Sequence, residues 1–190
     1  MLETALRAKG FTSRKIFITR AAVSALLVAC AVALPQLIHL IAGQPGGVKW
    51  LPMYLPVLIG GCLLGTKWGI VTGVASPLIS FLITSLGGAP MPAAERVPFM
   101  MAELAVFAAV SGLFSKKIAE NGLWAFPAVI CAGLSGRLFF LGLSVIFDRF
   151  TSFTPEMILN QIMTGGIGLL LQFVLVPVIV MIVRRIMTDE

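Results

Sequence analysis

Long apolar runs, each closed by a short cluster of charged or turn-forming residues, follow one another along almost the whole chain. A helix needs about 20 apolar residues to cross a ~30 Å hydrocarbon core. On that measure the pattern predicts six spans, at 16–42, 51–65, 68–87, 97–115, 123–147 and 157–183. The second is anomalous. The stretch WLPMYLPVLIGGCLLGTKWG, from Trp50 to Gly69, is short and broken by prolines and glycines. About fifteen residues at 1.5 Å each cover only ~22 Å, so this span is expected to begin below the membrane surface. Pro52 and Pro56 then occupy its first turns, with a recess open above it. Gly61, Gly65, Gly69 and Gly73 recur at four-residue spacing. Lys67 and Trp68 interrupt them, which predicts a tight hairpin with GTKWG as its turn.

Composition agrees with the pattern. Of 190 residues, 58% are hydrophobic and 12% charged, and mean hydropathy is +1.02. So few polar side chains cannot cover a soluble globule, and the reading is an all-α integral membrane protein, one compact six-helix bundle over residues 1–190. With the N-terminus inside, the inner segments carry Arg7, Lys9, Arg14, Lys15, Arg20, Lys67, Lys116, Lys117, Arg184 and Arg185. The outer loops carry only Lys49, Arg96 and Arg149. The excess of inner cations places both termini in the cytoplasm. Trp50, Trp68 and Trp124 fall at span ends, where indole rings prefer the headgroup zone. The net charge of +6 then reflects topology and gives no reason to expect a nucleic-acid partner. Within residues 1–15, Leu2 and Leu6 share a helical face beside basic residues, the pattern of a short interfacial helix on the inner leaflet.

Several chemistries are not signalled. No P-loop, dinucleotide, HExxH or GxSxG pattern occurs, so the chain is not expected to be an enzyme and any ATP hydrolysis belongs to partners. Cys30, Cys62 and Cys131 lie in different spans without CxxC spacing and read as small apolar filler. His39, with Gln36, sits near an outer span end without Cys or His partners, so neither a metal nor a cofactor is expected.

Two features carry function. Ala21, Ala25, Ala29 and Ala33 form a small-residue stripe on the first span, on which another helix can pack closely; the alternative is that it packs the bundle's own core. Polar residues also lie at depth: Glu103 and Arg137 at ~9 and ~15 Å from the outer end, Asn160 and Gln161 at ~6 Å. Ionised groups at such depth are costly unless paired or facing water, so Glu103 and Arg137 either line a ligand pocket or form a structural ion pair, and both readings can hold together. Ser76, Ser80 and Thr84 on the third span are possible lining residues, although hydroxyls often bond their own helix backbone. Gln172 is expected to bond across to another helix. The loop Gly87 to Pro98 has the Gly and Pro content of a gating lid.

The basic N-terminus, the alanine stripe, the hairpin LPMYLPVLIGGCLLGTKWGIVTGVASPLISFLIT and the polar span MMAELAVFAAVSGLF together resemble the S component, the vitamin-binding membrane subunit, of energy-coupling factor (ECF) transporters. The resemblance spans essentially the whole chain. It implies a prokaryotic cytoplasmic-membrane protein that binds a vitamin from outside and docks on a T component carrying two ATPases. Ala21, Ala25, Ala29 and Ala33 would form the docking face, and the vitamin would sit between the outer loops and spans four to six, near Glu103, Arg137, Asn160, Gln161 and Ser80. A buried Arg favours a carboxylate or phosphate, which makes pantothenate the preferred substrate. Cobalamin, a pyridoxine-like compound and a queuosine precursor are alternatives. An intramembrane enzyme would need a second catalytic group, for which no residue is apparent; a structural subunit without its own ligand is the remaining alternative.

Overall fold

A computed structural model of the chain describes residues 1–88, 90–147, 159, 160 and 163–189. Gln161 and Arg149 lie outside the described residues. Eight helices are described: α1 (Leu2–Ala8), α2 (Ser13–Trp50, interrupted at Gly43), α3 (Tyr54–Leu64), α4 (Thr66–Leu86), α5 (Val97–Leu113), α6 (Ser115–Glu120), α7 (Ala125–Phe147) and α8 (Gly166–Asp189). Short 3-10 turns precede α5 and α7. Among the described residues, five helices are long and apolar enough to cross a membrane.

The sixth apolar segment departs from the expectation. α3 has 11 residues, ~16 Å at 1.5 Å per residue, about half of a hydrocarbon core. Nearly all of it is buried, and it touches α2, α4, α5 and α8. It is a central post enclosed by longer helices. Pro52 lies before the helix and Pro56 in its first turn, because Leu51 takes a left-handed backbone (φ 48°) and turns the chain there.

The hairpin turn is also tighter than expected. Gly65 alone joins α3 to α4 with φ 81°, a conformation that disfavours side chains, and Lys67 and Trp68 already belong to the first turn of α4. The glycines let α3, α4 and α5 meet backbone to backbone. A Cβ on Gly69 would stand 2.9 Å from Gly61 Cα, one on Gly61 would stand 2.7 Å from the Ala108 carbonyl, and one on Gly73 2.7 Å from the Leu104 carbonyl. In lipid, where apolar burial drives little association, such close approach supplies the dispersion contacts that hold helices together.

At the basic end of the bundle, α1 packs inward. Met1 and Leu2 are buried in the core cluster, so the N-terminal helix is seated on α2, α3 and α6. Glu3 pairs with Arg7 and Arg20, and Arg20 Nη2 donates to the Leu64 carbonyl at 2.6 Å, satisfying the last turn of α3. Arg184 of α8 donates to the Ala119 and Glu120 carbonyls at the same end.

Candidate functional site

The site is built around the turn that starts α3. The Leu51 carbonyl accepts from Tyr54 N–H at 3.2 Å and from Gln172 Nε2 of α8 at 2.8 Å, two bonds that hold the left-handed Leu51 in place. Gln172 therefore bonds across to the turn before a helix, where the sequence pointed to another helix. α8 can come this close because a Cβ on Gly168 would stand 2.6 Å from the Lys49 carbonyl.

Above the turn opens a cavity of about 380 Å³, at the end away from the α1, α6 and Arg184 cluster. Its walls are Pro35 and His39 of α2, Leu51 to Tyr54, Ser80 of α4, the segment from Pro90 to Ala93, Arg96, and Met100 of α5. Proline and methionine dominate, and the polar lining comes from His39, Tyr54, Ser80 and Arg96. A concave, mainly apolar space with a few placed polar groups is the form of a small-molecule site.

The loop over this cavity is fastened to α4. Ser80 Oγ donates to the Met91 carbonyl at 2.8 Å. Thr84 Oγ1 accepts from Met91 N–H at 2.8 Å while donating to the Ser80 carbonyl at 2.7 Å. Both backbone polar groups of Met91 are thus satisfied by α4, so this part of the expected lid is latched. Ser76 Oγ bonds the Thr72 carbonyl of its own helix at 2.7 Å and does not line the cavity.

Beneath Tyr54 lies the ionic pair. Arg137 Nη1 of α7 donates to Glu103 Oε1 of α5 at 2.9 Å, and the Tyr54 hydroxyl donates to Glu103 Oε2 at 2.5 Å. The Arg137 guanidinium stands 5.0 Å from the Tyr54 ring centroid, and Phe107 meets the same ring edge-on at 5.1 Å. Glu103 is fully buried and the Arg137 side chain 7% exposed, so each carboxylate oxygen needs the partner it has. α7 approaches α5 closely because residue 136 is glycine: a Cβ there would stand 2.2 Å from the Phe107 ring.

The sequence-derived candidates thus separate. Glu103 and Arg137 are brought together, one ring removed from the cavity; Ser80 lines it; Asn160 is exposed, its carbonyl accepting from Thr164 Oγ1 at 2.8 Å. Gln161 falls outside the described residues. The cavity lies among α2, α3, α4 and α5, whereas the sequence reading placed the ligand among spans four to six. Sequence reasoning missed Tyr54 and took His39 for an interfacial residue. Tyr54 is the single tyrosine of the chain, set between two prolines at the start of the anomalous span, which was the available signal.

The alanine stripe faces outward. Ala25, Ala29 and Ala33 are exposed and Ala21 half-buried, while Ser24, Val28 and Ala31 turn into the bundle. The stripe is therefore not packing in the protein's own core. Ser24 instead bonds Thr72 of α4 through their hydroxyls at 2.8 Å.

A bundle of apolar helices around a half-length central helix, with a cavity at one end, has the architecture of a multi-pass membrane protein with room for a small molecule. The family model of the ECF transporter substrate-specific component matches residues 19–181, and the chain belongs to that family. It is a membrane transport protein, the substrate-binding subunit and not an enzyme, whose family implies association with a T component and ATPases. Comparison with curated proteins and with solved structures gave no match.

Proposed function

We propose that the cavity above Tyr54 is the substrate site, that it opens to the outside of a prokaryotic cell, and that its ligand is a small vitamin of pantothenate's size and carboxylate character. The observation that carries this is the cavity itself, which lies at the opposite end of the bundle from most of the basic residues. Under the positive-inside rule that end faces outward and both termini face the cytoplasm. A volume of about 380 Å³ sits near the lower bound for small-molecule pockets. It supports pantothenate, a pyridoxine-like compound or a queuosine precursor over the corrin macrocycle of cobalamin. Delivery then follows the family's division of labour. The exposed stripe of Ala25, Ala29 and Ala33, with Ala21 at its edge, docks on the T component, and two ATPases drive release inside.

The test is mass spectrometry of small molecules released by denaturing protein purified in detergent from cells grown in rich medium. A single vitamin at near-equal molar ratio supports the reading and names the substrate. An empty protein, with no gain in thermal stability across a vitamin panel, overturns it in favour of a structural subunit without its own ligand.

A further inference from the structure

We propose that His39 is a specificity-determining residue of the cavity, its Nε2 lone pair accepting a hydrogen bond from a hydroxyl or amino group of the ligand. The inference rests on the substrate-binding role of the cavity and adds a requirement separate from any acid group the ligand carries.

A neutral imidazole has one N–H and one bare nitrogen, and the bond made by one nitrogen fixes the state of the other. The His39 ring forms part of the cavity wall. It lies on α2 shortly before Gly43, where the helix is interrupted with φ 67°, and its Nδ1 stands 3.2 Å from the Gly43 carbonyl oxygen. A carbonyl only accepts, so Nδ1 carries the proton and Nε2 is the bare nitrogen. Among the described residues Nε2 has no hydrogen-bond partner, and it is not sealed inside the protein.

The rest of the wall sharpens the preference, because its donors are spent. The Ser80 hydroxyl proton goes to the Met91 carbonyl at 2.8 Å, and the Tyr54 hydroxyl proton goes to Glu103. The Met91 N–H goes to Thr84, between Pro90 and Pro92, which have no N–H to give. Arg96, the guanidinium of the wall, is engaged within the protein itself. What His39 and Ser80 have left is the capacity to accept. Once a ligand displaces water from Nε2, an acceptor without a donor is costly. A ligand that sets an O–H or N–H against it is therefore favoured over one that sets a carbonyl or ether oxygen there.

The chain has a single histidine, so nitrogen NMR of the full-length protein, carrying isotope-labelled histidine and purified in detergent through a histidine-free tag, reads that one ring alone. In mildly alkaline buffer the unliganded protein is expected to show a protonated Nδ1 and a bare Nε2. The probes are matched pairs: pyridoxine and its deoxy analogue, pantothenate and its di-O-methyl ether, and the aminomethyl and cyano forms of deazaguanine. The donor-bearing member of one pair is expected to bind in calorimetric titration and to move the Nε2 signal upfield while Nδ1 stays in place. Its counterpart is expected to bind about 10- to 100-fold more weakly. His39→Phe keeps a flat ring without the acceptor and is expected to bring the two members within about 3-fold of each other. His39→Gln, whose amide oxygen accepts, is expected to restore part of the ratio, with folding of both variants checked by thermal unfolding. The Nε2 signal needs no variant and stands if both fail to fold; where only a rich-medium extract binds, its Nε2 response is read in the same way. A protonated Nε2 in the unliganded protein, an Nε2 signal unmoved at saturation with a bound compound, or a ratio unchanged in a folded His39→Phe overturns the assignment and leaves the substrate-binding role intact. Failure of every compound and of the extract to bind overturns both.

Discussion

The Tyr54 hydroxyl donates to Glu103 at 2.5 Å, and this one bond ties the half-length helix α3 to α5 beside the floor of the cavity. Tyr54→Phe removes the donor and leaves a buried carboxylate oxygen unsatisfied. The expected loss is about 1–3 kcal/mol of stability, read as a lower thermal midpoint in detergent. Glu103→Ala also strands the Arg137 charge and is expected to cost more, about 3–5 kcal/mol. Equal midpoints for Tyr54→Phe and wild type would show that the bond does not hold the helix.

The glycines of the hairpin are expected to be intolerant in a position-dependent way. At Gly61 a Cβ would stand 2.0 Å from Ser111 Oγ and 2.7 Å from the Ala108 carbonyl, and the carbonyl belongs to a helix that cannot yield alone. Gly61→Ala is expected to cost about 1–3 kcal/mol or more through overpacking. Gly142 on α7 is exposed and meets nothing within 4 Å, so Gly142→Ala is expected to be neutral or to stabilise by up to ~1 kcal/mol through helix propensity. Thermal unfolding of the two variants side by side checks the contrast; similar midpoints would refute the packing argument.

Most of this architecture was legible because membrane helices announce themselves by the length of their apolar runs; the described ends of α3, α4, α5 and α7 lie within three residues of the sequence boundaries, whereas α2 runs on to Trp50 past its interruption at Gly43 and α8 runs on to Asp189. The short α3 was flagged by its prolines and its length. Its enclosure on all sides was not, because a helix buried in protein and one facing lipid are both apolar. The turn at Gly65 was misplaced for a related reason: a lysine beside a tryptophan reads as a span end in sequence, whereas α4 already begins at Thr66 and includes both. Glu103 and Arg137 stood out as charges in apolar spans. Tyr54 did not, since a phenol is at home in any membrane helix and only the contact with Glu103 gives it a role. The cavity's position depends on which loop folds over which helix, and here two hydroxyls of α4 decide it by holding Met91, a choice that the hydropathy pattern does not encode.

The seating of α1 is expected to depend on acid. The Glu3 carboxyl is held below its ordinary range chiefly by the hydrogen bond from Arg7; burial opposes this as the next-largest effect, and the charges of Arg20 and Arg7 add to the lowering. A carboxylate whose value falls on folding contributes stability that is present above its unfolded value, about 4.3, and is lost as pH falls through the lowered one. The difference in thermal midpoint between wild type and Glu3→Gln is therefore expected to be present at pH 7 and to shrink progressively below about pH 4. A difference that stays constant across that range would place the contribution of Glu3 in shape and not in charge.

The outward alanine face yields the sharpest separation between binding and delivery. Ala25 and Ala29 are exposed on α2, so leucine at both positions meets no wall of the protein's own core and should leave folding nearly unchanged, within about 0.5 kcal/mol. Lipid accommodates leucine readily. A partner helix seated on the stripe does not, because small residues are what allow two backbones to approach closely in a membrane. Ala25→Leu combined with Ala29→Leu is therefore expected to keep the thermal midpoint and the bound vitamin of the purified subunit while abolishing uptake by cells and copurification with the T component. If uptake persists, the docking face lies elsewhere on the bundle. If the vitamin is lost along with uptake, the stripe acts through the fold of the subunit, and the assignment of separate surfaces for capture and for coupling falls.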